Sequence, residues 1–295
     1  MSTTRTHGGQ SMARPLRRVV IGSPKTAGWS DASQAARWKD LGYLHDPQPD
    51  LAVRQHGELR RLLADAGIEI LDLPAGDGLS MDAVYAHDAS FVTDLGMILM
   101  SMGKTARRGE PAHHGSFYRS IGVPVLGAIE PPSLIEGGDI VWLDDRTLLV
   151  GRGYRTNASG IEQMRALLTP GKVEVIEAPL PHGQGPGFCL HLMSLISILD
   201  ERVALVDLPW LAVPTIELLR RKDFRLIEID PAERDSMACN VLALGDRKLI
   251  AIEENRRTNV RLSEHGFEVG TFHGSEISHN GGGGPTCLTR PLLRT

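Results

Sequence analysis

The segment from Asp145 to Ile176 contains the unit that decides the fold. Residues 145–150 read DRTLLV, a short apolar run after two charges that predicts a buried strand. A polar loop with Arg155 follows, then a helical stretch over 160–168. Residues 172–176, KVEVI, predict a second strand. The segment therefore predicts a strand, a loop, a helix and a strand in that order.

The same order of elements recurs in four other parts of the chain. Residues 246–252 (DRKLIAI) resemble 145–150, and the tripeptide Arg-Thr-Asn follows both, at 155–157 and at 257–259. The other units run from 17–22 to 68–73, from 95–100 to 123–126, from 201–206 to 224–229, and from 246–252 to 267–269. Such repeats predict a radial or stacked architecture, because one unit cannot bury its apolar face alone. Chance can explain the shared tripeptide, but it is a poor explanation for the recurring order.

One more apolar strand lies between successive units, and each follows a polar or glycine-rich lead-in. These segments are 88–94, 136–143, 189–196, 237–244 and 286–292. We expect the fifth to close a ring against the strand at 17–22. In a radial fold the lead-ins occupy equivalent positions in the five units, so their polar residues should converge on one central site.

Composition narrows the class of protein. The chain has 295 residues, 41% hydrophobic and 23% charged, with a net charge of -4, which argues against a nucleic-acid partner. Three cysteines do not make a disulfide framework and fit a reducing compartment. No apolar run is long enough to span a bilayer, and the N-terminus does not resemble a signal peptide. We expect a cytoplasmic protein with a flexible arm over 1–16 and one catalytic domain over 17–295.

Four glycines at 281–284 precede Cys287. Glycine permits close approach of the main chain to a bound group, so we expect Gly281 and its neighbours to close over a flat ligand beside the thiol. Our hypothesis is that Cys287 is a nucleophile at the mouth of a pocket. The alternative is a surface hinge followed by a buried, inert thiol.

The converging lead-ins would gather a thiol, an imidazole and several carboxylates, the groups needed for covalent catalysis with acid and base assistance. They are Asp88, Asp94, Glu136, Asp139, His191 and Cys287. Carboxylates beside a cysteine raise its pKa, which is unfavourable for a nucleophile. The arrangement makes sense if the substrate is itself a cation. A planar guanidinium pairs with carboxylates through two hydrogen bonds and favours the thiolate. The pattern therefore suggests attack by sulfur on a guanidinium carbon, although His191 alone could be an ordinary core histidine.

Two histidine clusters could suggest a metal site. They are His113 and His114 near Glu110, and His273 with Glu276 and His279. Neither has the spacing of a structural zinc site or of a His-Glu-x-x-His helix. We expect no metal and no cofactor.

At this point the residues resemble a known family, the guanidino-group-modifying superfamily, and within it the dimethylarginine dimethylaminohydrolases. The matching motifs are Phe91-Val92-x-Asp94, Glu136-Gly137-Gly138-Asp139, Val150-Gly151 with Arg155-Thr156-Asn157-x-x-Gly160, Leu190-His191-Leu192 and Thr286-Cys287. They span the chain from about Arg17 to its end. The resemblance implies a five-bladed α/β propeller of ββαβ modules. It also implies hydrolysis of an N-methylated arginine to citrulline and an alkylamine.

The resemblance also implies roles for single residues. Cys287 would be the nucleophile that carries a thiouronium intermediate, and His191 the general acid and then the general base. The implied substrate contacts are Asp94 and Glu136 with the guanidinium, Arg107 and Arg155 with the carboxylate, and Asp88 with the amino group. For Arg107 and Arg155, solvated surface charge is the alternative.

Some positions depart from the family pattern. Thr93 stands where an acid is common, and Met193 departs from the His-x-Asp of arginine deiminases and amidinotransferases. The glycine run, in contrast, resembles the deiminase ending. Residues 23–50 form an unusually long loop in a region that covers the substrate in the family. An arginine deiminase or dihydrolase, an amidinotransferase, a binder of cationic amino acids and a structural propeller therefore stay open. The expected partner is a small guanidino molecule, with no membrane partner and a homodimer left open.

Overall fold

The computed structural model describes residues 5–295. Over these residues the chain forms fifteen strands, seven α-helices and one π-helix. The strands are β1 (Leu16–Ile21), β2 (Glu69–Asp72), β3 (Ser90–Thr93), β4 (Gly96–Leu99), β5 (Val125–Ala128), β6 (Ile140–Asp144), β7 (Thr147–Arg152), β8 (Glu174–Pro179), β9 (Ile196–Asp200), β10 (Val203–Val206), β11 (Arg225–Glu228), β12 (Leu242–Gly245), β13 (Lys248–Ile252), β14 (Glu268–Phe272) and β15 (Thr289–Arg294). The α-helices are α1 (Ala32–Ala35), α2 (Trp38–Leu41), α3 (Pro49–Asp65), α4 (Glu110–Ser120), α5 (Ala158–Leu168), α6 (Val213–Arg221) and α7 (Arg256–Glu264), and the π-helix is Ser275–Asn280.

The strands form five three-stranded sheets with one repeated topology. In the module around 140–179, β6 and β7 make an antiparallel hairpin in which Ile140 lies opposite Val150. Helix α5 then leads to β8, which pairs with β7 in parallel, with Leu149 opposite Ile176. Asn157 starts α5, and its side chain accepts a hydrogen bond from the Gly160 amide. The ββαβ module and its fivefold recurrence confirm the predicted α/β propeller.

The chain closes on itself through its two ends. Strand β15 pairs antiparallel with β1, and Ile21 lies opposite Thr289. Three of the predicted lead-in strands nevertheless start later than expected. The regular strands begin at Ile196, Leu242 and Thr289. The polar residues before them lie in turns, because side chains that point into a site do not follow the alternation of a strand.

We expected a flexible arm over 1–16, and the structure contradicts this for one part of it. Residues 1–4 of that arm lie outside the described residues, but the segment from Gly8 to Gln10 is buried. The Gly8 amide donates to the Leu292 carbonyl, and the Arg294 amide donates back to the Gly8 carbonyl. The Gln10 side chain donates to the Asp145 carbonyl. Backbone and side-chain hydrogen bonds hold this segment, and they leave no apolar pattern in the sequence.

Residues 23–48 cover one end of the ring and carry α1 and α2. Their anchor is Trp29, which is fully buried, packs against Tyr43 with ring centroids 5.5 Å apart, and donates to the Met81 carbonyl. In residues 5–295, no helix combines the length and the apolar character needed to cross a membrane.

Candidate active site

His191 lies between two carboxylates at the convergent ends of the modules. Its Nε2 is 2.7 Å from Oε2 of Glu136, and its Nδ1 is 3.9 Å from Oδ1 of Asp88. All three residues are buried. Gly138 makes this packing possible, because a Cβ at that position would overlap the His191 ring and lie 2.9 Å from Asp88 Oδ1. The second glycine of the Glu-Gly-Gly-Asp motif thus makes room for the imidazole, whereas the first lies against the His87 carbonyl.

Glu136 is held in its ionised form by several donors. Its Oε1 accepts the Gly103 amide at 2.8 Å and the Lys104 amide at 3.2 Å. Arg155 Nη1 reaches both carboxylate oxygens, at 3.2 and 3.1 Å. Burial opposes ionisation, but the hydrogen bond with His191 and the charges of His191 and Arg155 outweigh burial and lower the pKa of Glu136 to about 2. Glu136 is therefore a fixed negative charge against the imidazole.

Asp139 holds the backbone next to His191. Its Oδ1 accepts the Leu192 amide at 2.8 Å, and its Oδ2 accepts the Thr156 hydroxyl at 2.6 Å. Burial raises its pKa to about 6. Through its bond to the Leu192 amide, Asp139 positions the backbone next to His191.

Arg107 is buried, and its guanidinium bonds to the protein, so its expected contact with a substrate carboxylate stays a prediction. Nη1 donates to Asp88 Oδ2 at 2.5 Å, and Nε and Nη2 donate to the two Glu110 oxygens at 2.8 Å. Nη2 also donates to the Tyr85 carbonyl at 2.8 Å. Arg107 therefore orients Asp88. Burial opposes ionisation of Asp88, but the charges of His191 and Arg107 hold its pKa below the usual range.

Cys189, which the sequence did not suggest as a site residue, lies beside the same imidazole. Its Sγ is 3.7 Å from His191 Nδ1 and 3.9 Å from Nε2. Burial alone would lower the pKa of His191, but charge on Cys189, Asp88 and Asp139 raises it well above the usual value. His191 is thus a proton donor at neutral pH. Only the spacing Cys-x-His could have indicated this contact.

Cys287 lies in the turn before β15 and belongs to the same cluster. Its carbonyl accepts the amide of His87, the residue before Asp88, at 3.1 Å. Its Sγ is 3.0 Å from Nδ2 of Asn240, a residue that sequence reasoning also missed. Burial and then the Asp88 charge raise the pKa of the thiol to about 11, against smaller opposing effects of His191 and Asn240. Its surroundings therefore favour the protonated thiol over the thiolate.

Asp94 is not part of this cluster, contrary to the prediction. It lies in the turn between β3 and β4, accepts the Gly9 amide at 2.8 Å, pairs with Arg5, and is 44% exposed at its side chain. Asp88 precedes β3 and Asp94 follows it, and a strand rises about 3.3 Å per residue. The two carboxylates therefore occupy opposite ends of one strand, and only Asp88 lies at the site.

The glycine run packs against side chains. A Cβ on Gly281 would overlap the Tyr85 hydroxyl, and one on Gly283 would lie 2.5 Å from the Tyr85 ring and 3.0 Å from Cys287 Cβ. Tyr85 in turn donates to the Ile277 carbonyl at 3.1 Å. The run thus lets Tyr85 lie against the segment that contains Cys287, and any contact of Gly281 with substrate stays a prediction.

A metal ion has one geometrically suitable group of ligands within residues 5–295. Asp88, Glu136 and His191 each offer an atom within 4.8 Å of the others. The histidines considered from the sequence do not form such a group, since His113 contacts the Pro74 carbonyl and His114 contacts Ser90. The two carboxylates and the imidazole already hydrogen-bond to protein partners, as an acid–base cluster does.

Comparison with known proteins identifies the family. The family model described as eukaryotic N,N dimethylarginine dimethylhydrolase matches residues 29–294. The uncharacterised protein YkgA of Bacillus subtilis is 31% identical over 81% of this chain and 79% of its own. The N(G),N(G)-dimethylarginine dimethylaminohydrolase of Streptomyces coelicolor is 28% identical over 81% of this chain and 85% of its own.

A solved structure shows the same fold. The dimethylarginine dimethylaminohydrolase of Pseudomonas aeruginosa, a cysteine-to-serine mutant complexed with citrulline, superposes with a TM-score of 0.76 at 24% identity, over 95% of this chain and all of its own. The match of the family model over most of the chain agrees with the propeller and with the cluster of imidazole, carboxylates and thiol. The chain belongs to the N,N-dimethylarginine dimethylhydrolase family, a family of guanidino-group hydrolases.

Proposed function

We propose that the protein hydrolyses an N-methylated arginine to citrulline and an alkylamine through a thiouronium intermediate on Cys287. The observation that carries this proposal is the buried cluster of Asp88, His191 and Glu136 beside a thiol. Two ionised carboxylates form a receptor for a planar cation, and a protonated imidazole between them can donate to a leaving amine. In this proposal Asp88 takes the guanidinium-binding role first expected of Asp94.

The positive charge of the substrate would lower the raised pKa of the Cys287 thiol. A unit charge about 4 Å from sulfur, at an effective dielectric constant of about 20, favours the thiolate by about 4 kcal/mol. Each pKa unit corresponds to about 1.4 kcal/mol, so the pKa of Cys287 would fall by about 3 units from its value of about 11. The nucleophile is thus activated only when a guanidinium is bound, and the free enzyme is protected from other electrophiles.

The proposed reaction has two stages, formation of a thiouronium and its hydrolysis. The Cys287 thiolate attacks the central guanidinium carbon and forms a C–S bond. The bond from that carbon to the alkylated nitrogen breaks as His191 donates a proton, which releases the alkylamine and leaves a thiouronium. Neutral His191 takes a proton from water, and the hydroxide adds to the same carbon. The C–S bond then breaks to give the thiolate and protonated citrulline, whose extra proton passes through solvent to the released alkylamine. The net reaction consumes one water.

We infer that Arg155 binds the substrate carboxylate. Its guanidinium contacts Glu136 through Nη1, and its side chain is 12% exposed. We infer that Arg155 both fixes Glu136 and presents its remaining N–H groups to the ligand. This leaves Arg155 with the role that sequence resemblance also implied for Arg107.

The identity of the leaving group separates this proposal from its alternatives. Support for a methylated substrate comes from the family match and from the Streptomyces relative. It also comes from Met193, which stands where the His-x-Asp motif of deiminases and amidinotransferases has its aspartate. The test is to incubate the protein with dimethylarginine, monomethylarginine, arginine and an amidine donor with an amine acceptor. We expect dimethylamine and citrulline from dimethylarginine, whereas ammonia from arginine or transferred amidine as the main product would contradict the proposal.

Two variants connect that assay to the site. Cys287→Ser should reduce turnover by several orders of magnitude, because each tenfold loss in rate is only about 1.4 kcal/mol of barrier. Cys239→Ala is the matched control, since this thiol is buried in another module and bonds to the Leu205 carbonyl. It should keep activity. Retention of most activity by Cys287→Ser would exclude the thiouronium route.

A further inference from the structure

The nucleophilic sulfur has a hydrogen-bond donor from a different module. Asn240, which precedes β12 and is 6% exposed, places Nδ2 3.0 Å from Cys287 Sγ. Its Oδ1 accepts the backbone amide of Thr286 at 3.0 Å. Because the Thr286 N–H can only donate, the partner atom must be the amide oxygen, and this fixes the orientation of the side chain. The Asn240 N–H groups therefore point at the sulfur.

The chain keeps space for this amide. A Cβ on Gly284 would lie 2.7 Å from Cγ and 2.7 Å from Oδ1 of Asn240, so only glycine fits there without displacing the side chain. Asn240 is also fixed from its own side, because the Ser197 hydroxyl bonds to the carbonyl of Cys239 at 2.6 Å and contacts the Val241 amide at 3.4 Å. A buried polar side chain held by both neighbours and by the glycine run is positioned, not merely tolerated.

We propose that Asn240 is a catalytic residue whose side-chain N–H stabilises the Cys287 thiolate when it attacks and again when it departs. The proposal rests on the role of Cys287 as nucleophile given above. Hydrogen bonds to charged acceptors are stronger than those to neutral ones, so the contact strengthens as the S–H proton leaves. The Nδ2 group also fixes the direction of the sulfur, while Oδ1 ties it to Thr286 next to the nucleophile.

Loss of the Asn240 donor should slow the alkylation of Cys287. Loss of a hydrogen bond to a charged group should shift the thiol pKa upward by about one to two units. Below that pKa the alkylation rate follows the thiolate fraction, partly offset because a more basic thiolate is more nucleophilic. We expect alkylation of Cys287 to become about three- to tenfold slower.

The experiment is to measure iodoacetamide labelling of Cys287 between pH 7 and 9, with each cysteine peptide followed by mass spectrometry. Asn240→Asp keeps an acceptor for the Thr286 amide but has no donor for the sulfur, and Asn240→Ala removes the donor without adding charge. Both should slow labelling of Cys287 and lower kcat more than they raise KM. Gly284→Ala should have the same direction of effect, because it displaces the amide.

Asn259→Ala is the matched control, because it removes an amide side chain that donates to the Ile252 carbonyl at 2.9 Å and leaves the Asn240 donor in place. It should label Cys287 at the wild-type rate, and continued protection of buried Cys239 reports that each variant is folded. Wild-type labelling in both Asn240 variants, or equal slowing in Asn259→Ala, would overturn the proposal. Alkylation needs no turnover, so this result is separate from the proposed function, which fails instead if Cys287→Ser stays active.

Discussion

One carboxylate acts on the pKa of both the imidazole and the thiol. Asp88 lies beside His191 and raises the pKa of both that imidazole and the Cys287 thiol. In the proposed mechanism this carboxylate disfavours the Cys287 thiolate in the free enzyme and binds the cation that favours it. A residue with this double role gives a prediction of opposite signs in one variant.

Asp88→Asn should speed iodoacetamide labelling of Cys287 at pH 8 and at the same time lower kcat/KM for the guanidino substrate. Labelling rises because loss of the negative charge lowers the thiol pKa, which brings more thiolate into the working range. Turnover falls because the cation loses a partner, by about a hundredfold or more for an acid–base cluster. Asp94→Asn is the control and should change neither rate. A variant that slowed both reactions would indicate a simple loss of structure.

The π-helix Ser275–Asn280 connects the covering segment, residues 23–48, to the segment that contains Cys287. Its buried Glu276 accepts the Gln48 amide at 2.9 Å and the Asn280 side chain at 2.8 Å. Asn280 accepts the Leu44 amide through its carbonyl and the His45 amide through Oδ1. Residues 44–48 are therefore tied to the helix that leads into the glycine run and Cys287.

Asn280→Ala should loosen this covering segment. It removes the partner of the His45 amide and one of the donors to Glu276. A buried polar group left unsatisfied costs about 1–3 kcal/mol. We expect faster trypsin cleavage of the native protein at Lys25, Arg37 and Lys39. Asn157→Ala is the control. It removes the side chain that caps the N-terminus of α5 and destabilises the protein by about 1 kcal/mol in another module, so cleavage at these sites should be unchanged. Equal cleavage rates in Asn280→Ala and the wild type would contradict the tie.

Most elements could be predicted from sequence, because strand and helix periodicities are local. The ββαβ order and the closing strand at the C-terminus were both correct. The contacts that define the site were harder, since Arg107 with Asp88, and Asn240 with Cys287, depend on packing between distant segments. Asp94 was misplaced because a motif does not tell which end of a short strand faces the centre. Gly8 to Gln10 was read as an arm because backbone hydrogen bonds leave no trace in hydropathy.

At the scale of the whole molecule, stability depends on closing the ring. Leu292 of β15 is fully buried in an apolar cluster with Val20 of β1 and Tyr118 of α4. Leu292→Ala should lower the free energy of unfolding by about 2–5 kcal/mol, the cost of a cavity at a buried leucine. Denaturant unfolding measures this, and Val260→Ala, 58% exposed on α7, should change it by less than about 0.5 kcal/mol. A small effect at Leu292 would show that the ring tolerates opening at this strand.

The central claim is that Cys287 carries the substrate carbon during turnover. The most direct measurement is acid quench of the enzyme with dimethylarginine in the steady state, followed by mass spectrometry of the intact protein and its peptides. The account predicts an adduct on the Cys287 peptide with the mass of the substrate less dimethylamine, absent from Cys287→Ser. Steady turnover with the adduct on another residue, or with free dimethylamine formed by an enzyme that lacks the Cys287 thiol, would contradict it.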